Sequence, residues 1–495
     1  MINNKFAATY LETGNIAGLP NSHFIGGAWV AGNSGQKMQS YDPALAEAFG
    51  EFALGTATDM DNAISAAERG ADHWRAVKPS DRCRILNEVA RVLRDNAEHL
   101  AFLESLDSGK TLTEAESDVA NSARLFEYYA GAADKLDGRS VNLGPAYTAF
   151  TVREPVGVTG HIIPWNYPTS TFARGVAPAL AAGCSVVAKP AETTPYTALV
   201  MAALLSEAGV PDGVVNVLTG LGQEAGAAMV TDPRIKQLTF TGSVGTGVNI
   251  AQAAAPNVTR LTLELGGKSP LVVFSDCDID AAIDGALWAI FSNSGQICSA
   301  GSRLLLHSSI RDEVIDGLVA KTKAIQIGHG LRNPDMGAIN SEIHLGRIQS
   351  HVDAAKARGC TILTGGEVAT DPVTGKGWFY EPTIIGDLKP DDPAVQQEIF
   401  GPVLSVQIFD TEEEAVQLAN GTEFGLVAGV YTRDIGRAMR MASALDCGQV
   451  TINDYWAGGI ELPFGGNGKS GYGREKGWEG LDAYTKVKSI TLSTI

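Results

Sequence analysis

The sequence predicts an α/β protein with parallel, doubly wound sheets in two domains, and three observations carry that prediction. Over residues 156–265 one unit recurs: a short β-rich run, a loop of small residues, then a helical pattern. After Lys268 a second such series begins. The chain is also 495 residues long, too much for one small core. Strands alternating with helices form parallel sheets, whose ligands bind beyond the carboxyl ends of the strands.

Taken in order, residues 59–137 read as helical, with apolar side chains three and four apart through 84–93. Residues 149–155 read as a strand that Pro155 ends. The repeated units follow: 156–163 before Pro164-Trp165-Asn166-Tyr167-Pro168, 185–189 before Pro190-Ala191-Glu192, and 237–241 before Gly242-Ser243-Val244-Gly245-Thr246-Gly247. The Gly242 loop opens a helix whose free N–H groups favour a phosphate, although its glycine spacing fits a plain small-residue turn equally well. In 259–268 one carboxylate, Glu264, stands in an apolar strand that ends in two glycines. Desolvation there raises its pKa toward the range of a general base, and pairing with a lysine is the alternative.

The second series starts with a strand at 269–274, continues through helices at 278–292 and 311–325, and includes a strand at 449–452. Within it, Cys298 sits among small residues after an apolar segment, as an exposed nucleophile would. A thiolate is the better nucleophile and needs a local field that the flanking residues do not supply, so its partners must come from elsewhere. The other reading is a buried packing cysteine. Glu398-Ile399-Phe400-Gly401-Pro402 joins an acid and a ring to a turn. The tail, 484–492, reads as a strand able to pair with 150–153, and an exposed edge there invites another subunit.

Composition narrows the class. A net charge of −18 and pI near 4.9 argue against nucleic acid or an anionic membrane as partner, since both need a concentrated positive field. No run approaches the ~18 apolar residues of a membrane span, and the first residues lack a leader-like apolar core. The six cysteines are scattered without a Cys-x-x-Cys pair, which argues against disulfides and a metal site. The expectation is a soluble cytoplasmic protein.

Together the motifs resemble those of the NAD(P)-dependent aldehyde dehydrogenase superfamily, from His23-Phe24-Ile25-Gly26-Gly27 to the tail. The landmarks stand in family order: Pro164-Trp165-Asn166-Tyr167-Pro168, Lys189-Pro190-Ala191-Glu192, Phe240-Thr241-Gly242-Ser243, Leu263-Glu264-Leu265-Gly266-Gly267-Lys268, Gly295-Gln296-Ile297-Cys298, Glu398-Ile399-Phe400-Gly401-Pro402 and Pro463-Phe464-Gly465-Gly466. The resemblance implies a Rossmann-like NAD-binding domain (1–137 and 156–265), a catalytic α/β domain (266–468) and a small β oligomerisation element (138–155 and 469–495), in a homodimer or homotetramer. It implies that Cys298 is the nucleophile, that Glu264 activates water, and that the Asn166 amide and the Cys298 N–H form the oxyanion hole. Lys189 and Glu192 would hold the adenine ribose, Ser243 and Trp165 the pyrophosphate, and Glu398 the nicotinamide ribose, with Phe400 bordering the nicotinamide. Ile163, Pro164, Gly222, Gly226, Phe240, Gly242, Thr246 and Leu265 would surround the same cofactor. Because a carboxylate accepts from ribose hydroxyls and repels a 2′-phosphate, Glu192 predicts NAD over NADP.

On the substrate side the resemblance points to Tyr167, Arg174 and Phe464. Arg174 stands where betaine-aldehyde and aminoaldehyde members usually carry a cage tryptophan; it is similar to the semialdehyde and lactaldehyde branches, where arginine clamps a carboxylate. Ser292 supplies no cage aromatic, and Phe464 stands where those members often carry tryptophan. The expectation is a small acid semialdehyde or hydroxyaldehyde. Against it stand the serine at 292, where succinate-semialdehyde members often carry arginine, and the negative Glu461 near the tunnel mouth; a helix-surface salt bridge is the other reading of Arg174. The alternatives are a betaine- or amino-aldehyde dehydrogenase, a CoA-acylating dehydrogenase, whose members generally lack a glutamate at 264, a cysteine hydrolase, and a binding protein that keeps only the fold.

Overall fold

The computed structural model describes residues 4–493; the readings of the first three and last two residues lie outside it. Two parallel-centred sheets stand in series. In the first, the neighbouring strands run Ala28–Val30, His23–Ile25, Val215–Val217, Ser185–Lys189, Val158–Ile162, Ile235–Thr241, Arg260–Glu264 and Gly471–Tyr472. Strand order therefore reverses between Val158–Ile162 and Ile235–Thr241, and the crevice at such a switch point is where ligands bind in open α/β sheets. The loops opening at Ile163 and at Gly242 flank that crevice.

The helices expected over 59–137 are four: Ala57–Ala76, Pro79–Asp95, Ala97–Ser108 and Leu112–Ala132. Thr56 and Thr111 each begin one with a reciprocal capping box, using Asp59 and Glu114. These helices, with Pro168–Ala182 and Tyr196–Glu207, pack a continuous core on the sheet through Trp74, Leu86, Phe126 and Phe172.

The second sheet orders Thr361–Thr364, Thr383–Gly386, Val403–Phe409, Arg303–His307, Pro270–Val273, Val427–Tyr431 and Gln449–Ile452. Its strand Pro270–Val273 begins six residues after the strand Arg260–Glu264 ends, and in the link between them Gly266 meets Glu398 and Gly267 meets the Cys298 carbonyl, so the carboxyl end of that strand faces loops that lead into the second sheet. The cysteine loop, between the helix Ile279–Phe291 and the strand Arg303–His307, lies at that junction.

The tail strand Thr485–Ser493 pairs antiparallel with Tyr147–Pro155, Ile490 opposite Phe150 and Val487 opposite Arg153, the pairing expected from the sequence. With Ser140–Val141 they form a three-stranded sheet. Within 469–495, Gly471–Tyr472 pairs with Arg260–Glu264 at the edge of the first sheet, and the strand from Thr485 joins the small sheet. A two-residue strand among glycines carries no period for the sequence to show. Among the described residues no helix is long and apolar enough to cross a membrane.

Candidate active site

The cysteine loop is held in a conformation few residues adopt. Asn293, Ser294 and Gly295 have φ of 47°, 56° and 71°, three successive left-handed residues after the helix. Gly295 is required there: a Cβ would collide with the Gly401 carbonyl. The turn is pinned from all sides. The Asn293 N–H donates to Glu114 Oε1 (2.6 Å), Ser294 Oγ to the Gly337 carbonyl (2.9 Å), and the Asn340 N–H to Gln296 Oε1 (2.9 Å).

This turn sets Cys298, half-buried, into the wall of a cavity of about 540 Å³ that Asn166, Tyr167, Arg174, Phe464 and Lys476 also line. Burial pushes the Cys298 thiol up to about 12, while Arg174 pulls it down. Asn166 is buried, its Nδ2 donating to the Gln296 carbonyl (2.8 Å) and its own carbonyl accepting from Asn293 Nδ2 (3.1 Å). One amide N–H is thus engaged with the cysteine loop itself, which leaves the second to meet charge developing beside Cys298.

Glu264 ends its strand buried, and neither carboxylate oxygen has a hydrogen-bond partner. Burial, then the neighbouring Glu475, hold its pKa well above the ordinary carboxyl value; Arg174, Arg474 and Lys476 pull the other way. Gly266 and Gly267 let two other parts of the site close on this strand's end. A Cβ on Gly266 would strike the Glu398 carboxylate, and one on Gly267 the Cys298 carbonyl.

Arg174, on the helix Pro168–Ala182, is not free. Its Nε forms an ion pair with buried Glu475, and its guanidinium lies 5.1 Å from the Phe464 ring centre. Of the two readings open in the sequence the salt bridge is present, though with a buried partner from a distant segment. Tyr167 carries the Lys110 ammonium 4.1 Å from its ring, and Lys110 is paired with Glu104 and Asp118.

The remaining expected residues gather in three groups along the first sheet's carboxyl edge. Lys189 Nζ donates to the carbonyls of Pro190 (2.8 Å) and Gly220 (2.9 Å) and pairs with Glu192 (3.3 Å), whose carboxylate accepts the Gly222 N–H (2.7 Å). Ile163 donates its N–H to the Lys189 carbonyl (2.9 Å), just before Pro164, and Gly226 lies against the Lys189 side chain. The second group is Phe240, Gly242, Ser243, Thr246 and Leu265. Ser243 caps the helix Val244–Ala254 by accepting the Thr246 N–H (3.3 Å), Phe240 underlies Gly242, and open space beside Gly245 leaves room for an anion at that helix start. In the third, Trp165 meets Phe400 edge-on at 5.3 Å, and Glu398 accepts the Gly267 N–H (2.9 Å). Burial pushes the Glu398 carboxyl up to about 7. A carboxylate beside a lysine, a helix amino end and a second carboxylate next to aromatic rings are a donor set that fits the ribose hydroxyls and phosphates of a dinucleotide.

A family model described as "Aldehyde dehydrogenase family" matches residues 29–490. The chain belongs to the aldehyde dehydrogenase family. Among its relatives, betaine aldehyde dehydrogenase of Bacillus subtilis is 40% identical over 95% of this chain and 97% of its own. Hydroxyisobutyraldehyde dehydrogenase of Mycolicibacterium austroafricanum is 40% identical over 96% of this chain and 94% of its own. The crystal structure of betaine aldehyde dehydrogenase from Staphylococcus aureus in complex with NAD⁺ superposes with a TM-score of 0.96, at 39% identity, covering 99% of this chain and 98% of that one.

Within this aldehyde dehydrogenase fold, two site residues escaped the sequence reading, Glu475 and Lys476. They sit in Arg474-Glu475-Lys476-Gly477, a run of charges that reads as a solvated surface turn. Only the antiparallel bridge of Glu475 with Phe464 brings it against the cavity.

Proposed function

We propose that this chain oxidises an aldehyde to the carboxylic acid with NAD as electron acceptor. The observation that carries the reading is the meeting of the Cys298 thiol and the Asn166 amide in one cavity, with Glu264 close enough to bear on both Cys298 and Arg174 electrostatically, in a chain of this family. The thiol gives its proton to solvent water, and its sulfur bonds to the aldehyde carbon as the carbonyl π bond opens. The oxygen becomes an anion met by the Asn166 amide and the Cys298 N–H, fixed donors where charge develops. The dinucleotide, when bound, supplies a hydride acceptor, and the carbon is left as a thioester on Cys298. Glu264 takes a proton from water, which attacks the thioester; the acid leaves and the thiol is restored.

Lys189, Glu192, Ser243, Trp165, Glu398 and Phe400 would hold the cofactor, and the Glu192 carboxylate supports NAD over NADP. The substrate is a small aldehyde carrying a carboxylate or hydroxyl. The presence of Glu264 supports hydrolysis over transfer to CoA. A second reading, a betaine- or amino-aldehyde, draws on the names of relatives such as the Bacillus subtilis enzyme. The chain works in the cytoplasm as a homo-oligomer, a reading supported by six unpaired cysteines and by Val487 and Leu492 standing exposed on the tail strand.

The test is NADH formation by the purified protein and by Cys298→Ala over acidic, hydroxylated, neutral and cationic aldehydes, with and without CoA. Turnover that vanishes in the variant supports the reading. Efficient ester cleavage without NADH from any aldehyde would overturn it.

A further inference from the structure

Four charged side chains line the cavity, and three are already engaged. Glu114 accepts from the Thr111 N–H and hydroxyl and from the Asn293 N–H. Asp118 pairs with buried Lys110, and Arg174 with Glu475. The fourth is Lys476. Among the described residues its ammonium has no hydrogen-bond or ion-pair partner, and it lies 5.1 Å from the Phe464 ring centre. Arg174 lies at the same distance from that ring, so two cations share one wall. With Arg174 balanced by Glu475, the Lys476 ammonium is the charge on that wall without a direct counter-ion, and it projects a positive field into a cavity with low-dielectric sides.

The fold holds this lysine in place at a cost. Its φ of 59° and ψ of −179° belong to a region that is essentially glycine's, and Gly477 follows at φ 54°. Desolvation, then the Arg174 charge, lower the Lys476 ammonium to about 8, with Glu475, Cys298 and Glu264 opposing. That is the behaviour of a cation short of an anion.

We propose that Lys476 is a specificity-determining residue whose ammonium binds the carboxylate of an aldehyde that carries a negative charge at its far end. The assignment rests on the dehydrogenase reading and selects within it. Three N–H donors are available to the carboxylate, and a trimethylammonium or amine would meet the same field as repulsion.

The test uses the NAD-loaded enzyme with three aldehydes of matched length, ending in a carboxylate, a methyl and a trimethylammonium group. Wild type prefers the carboxylate. In Lys476→Met the ratio of kcat/KM for the carboxylate over the methyl substrate falls roughly tenfold or more, chiefly through KM, while Lys476→Arg restores most of it. An equal loss of kcat on all three substrates would overturn the proposal, showing that Lys476 only balances Glu264 and Glu475. So would a wild-type preference for the cation, which needs no variant to observe, and so would failure of succinate to compete with the aldehyde. Absence of NADH from every aldehyde overturns the dehydrogenase reading as well; turnover without a charge preference overturns only the role of Lys476.

Discussion

Replacing Glu475 with Gln separates the charge around the catalytic base from its packing. The glutamine fills the same space and offers Arg174 an oxygen, but the negative charge is gone. Two consequences for Glu264 share a sign. A like charge that raises its pKa is removed, and the Arg174 charge, no longer balanced by Glu475, acts on it more strongly. Each pKa unit corresponds to about 1.4 kcal/mol between protonation states, and at an effective dielectric constant near 20 one charge is worth about one such unit even at roughly 12 Å, and more when nearer. Since only ionised Glu264 accepts the proton of water, a lower pKa shifts the rising limb of deacylation toward lower pH by about one unit or more, tenfold or more faster on the acid side. The assay is hydrolysis of an acyl group placed on Cys298 by an activated ester, followed against pH, which leaves the hydride step out. Arg174 left short of its partner also costs stability, up to roughly 3–5 kcal/mol for a broken buried pair, and thermal unfolding reads that. A limb that stays in place, or moves up, would refute the electrostatic account of Glu264.

The sequence carried four strands of the first sheet and two of the second, because parallel strands are apolar runs set off by small-residue loops, a pattern that survives reading one chain. Ser185–Lys189 and Gln449–Ile452 were bounded to the residue. Glu264 was legible for the same reason, one carboxylate in an apolar strand. Cys298 was legible only as a candidate, since what makes it a site is the left-handed turn at Asn293 and Ser294, and nothing local in Asn-Ser-Gly announces three positive φ values. Arg174 was visible and its partner was not. Glu475 is 301 positions away in a charged turn, and ion pairs across such separations leave no periodic trace. Lys476 was missed by the same route, because a lysine between a glutamate and a glycine reads as surface until an antiparallel bridge folds it over the cavity. Gly471–Tyr472 escaped because a strand of two residues is defined by its partner.

Asn166→Ala removes the side-chain donor of the oxyanion site, and kcat falls about 10²–10³-fold with KM less affected; an unchanged kcat would exclude that role. Glu192→Ser reduces the ratio of kcat/KM for NAD over NADP, measured with one aldehyde, because the charge that repels a 2′-phosphate is gone. The last prediction concerns stability. Asp107, fully buried at the end of the helix Ala97–Ser108, accepts from Ser40 Oγ (2.7 Å) and the Tyr196 N–H (3.2 Å), yet burial outweighs both and pushes its carboxyl up to about 8. The folded state therefore holds this proton more tightly than the unfolded chain. Its contribution to stability is complete below the unfolded pKa of about 4, declines as pH rises toward about 8, and is constant beyond. Asp107→Asn cannot ionise, so whatever fixed offset the amide introduces, the stability of the variant relative to wild type must increase between pH 5 and pH 8. Urea unfolding at the two pH values measures the difference, and curves that shift in parallel would mean that Asp107 is already ionised in the folded protein.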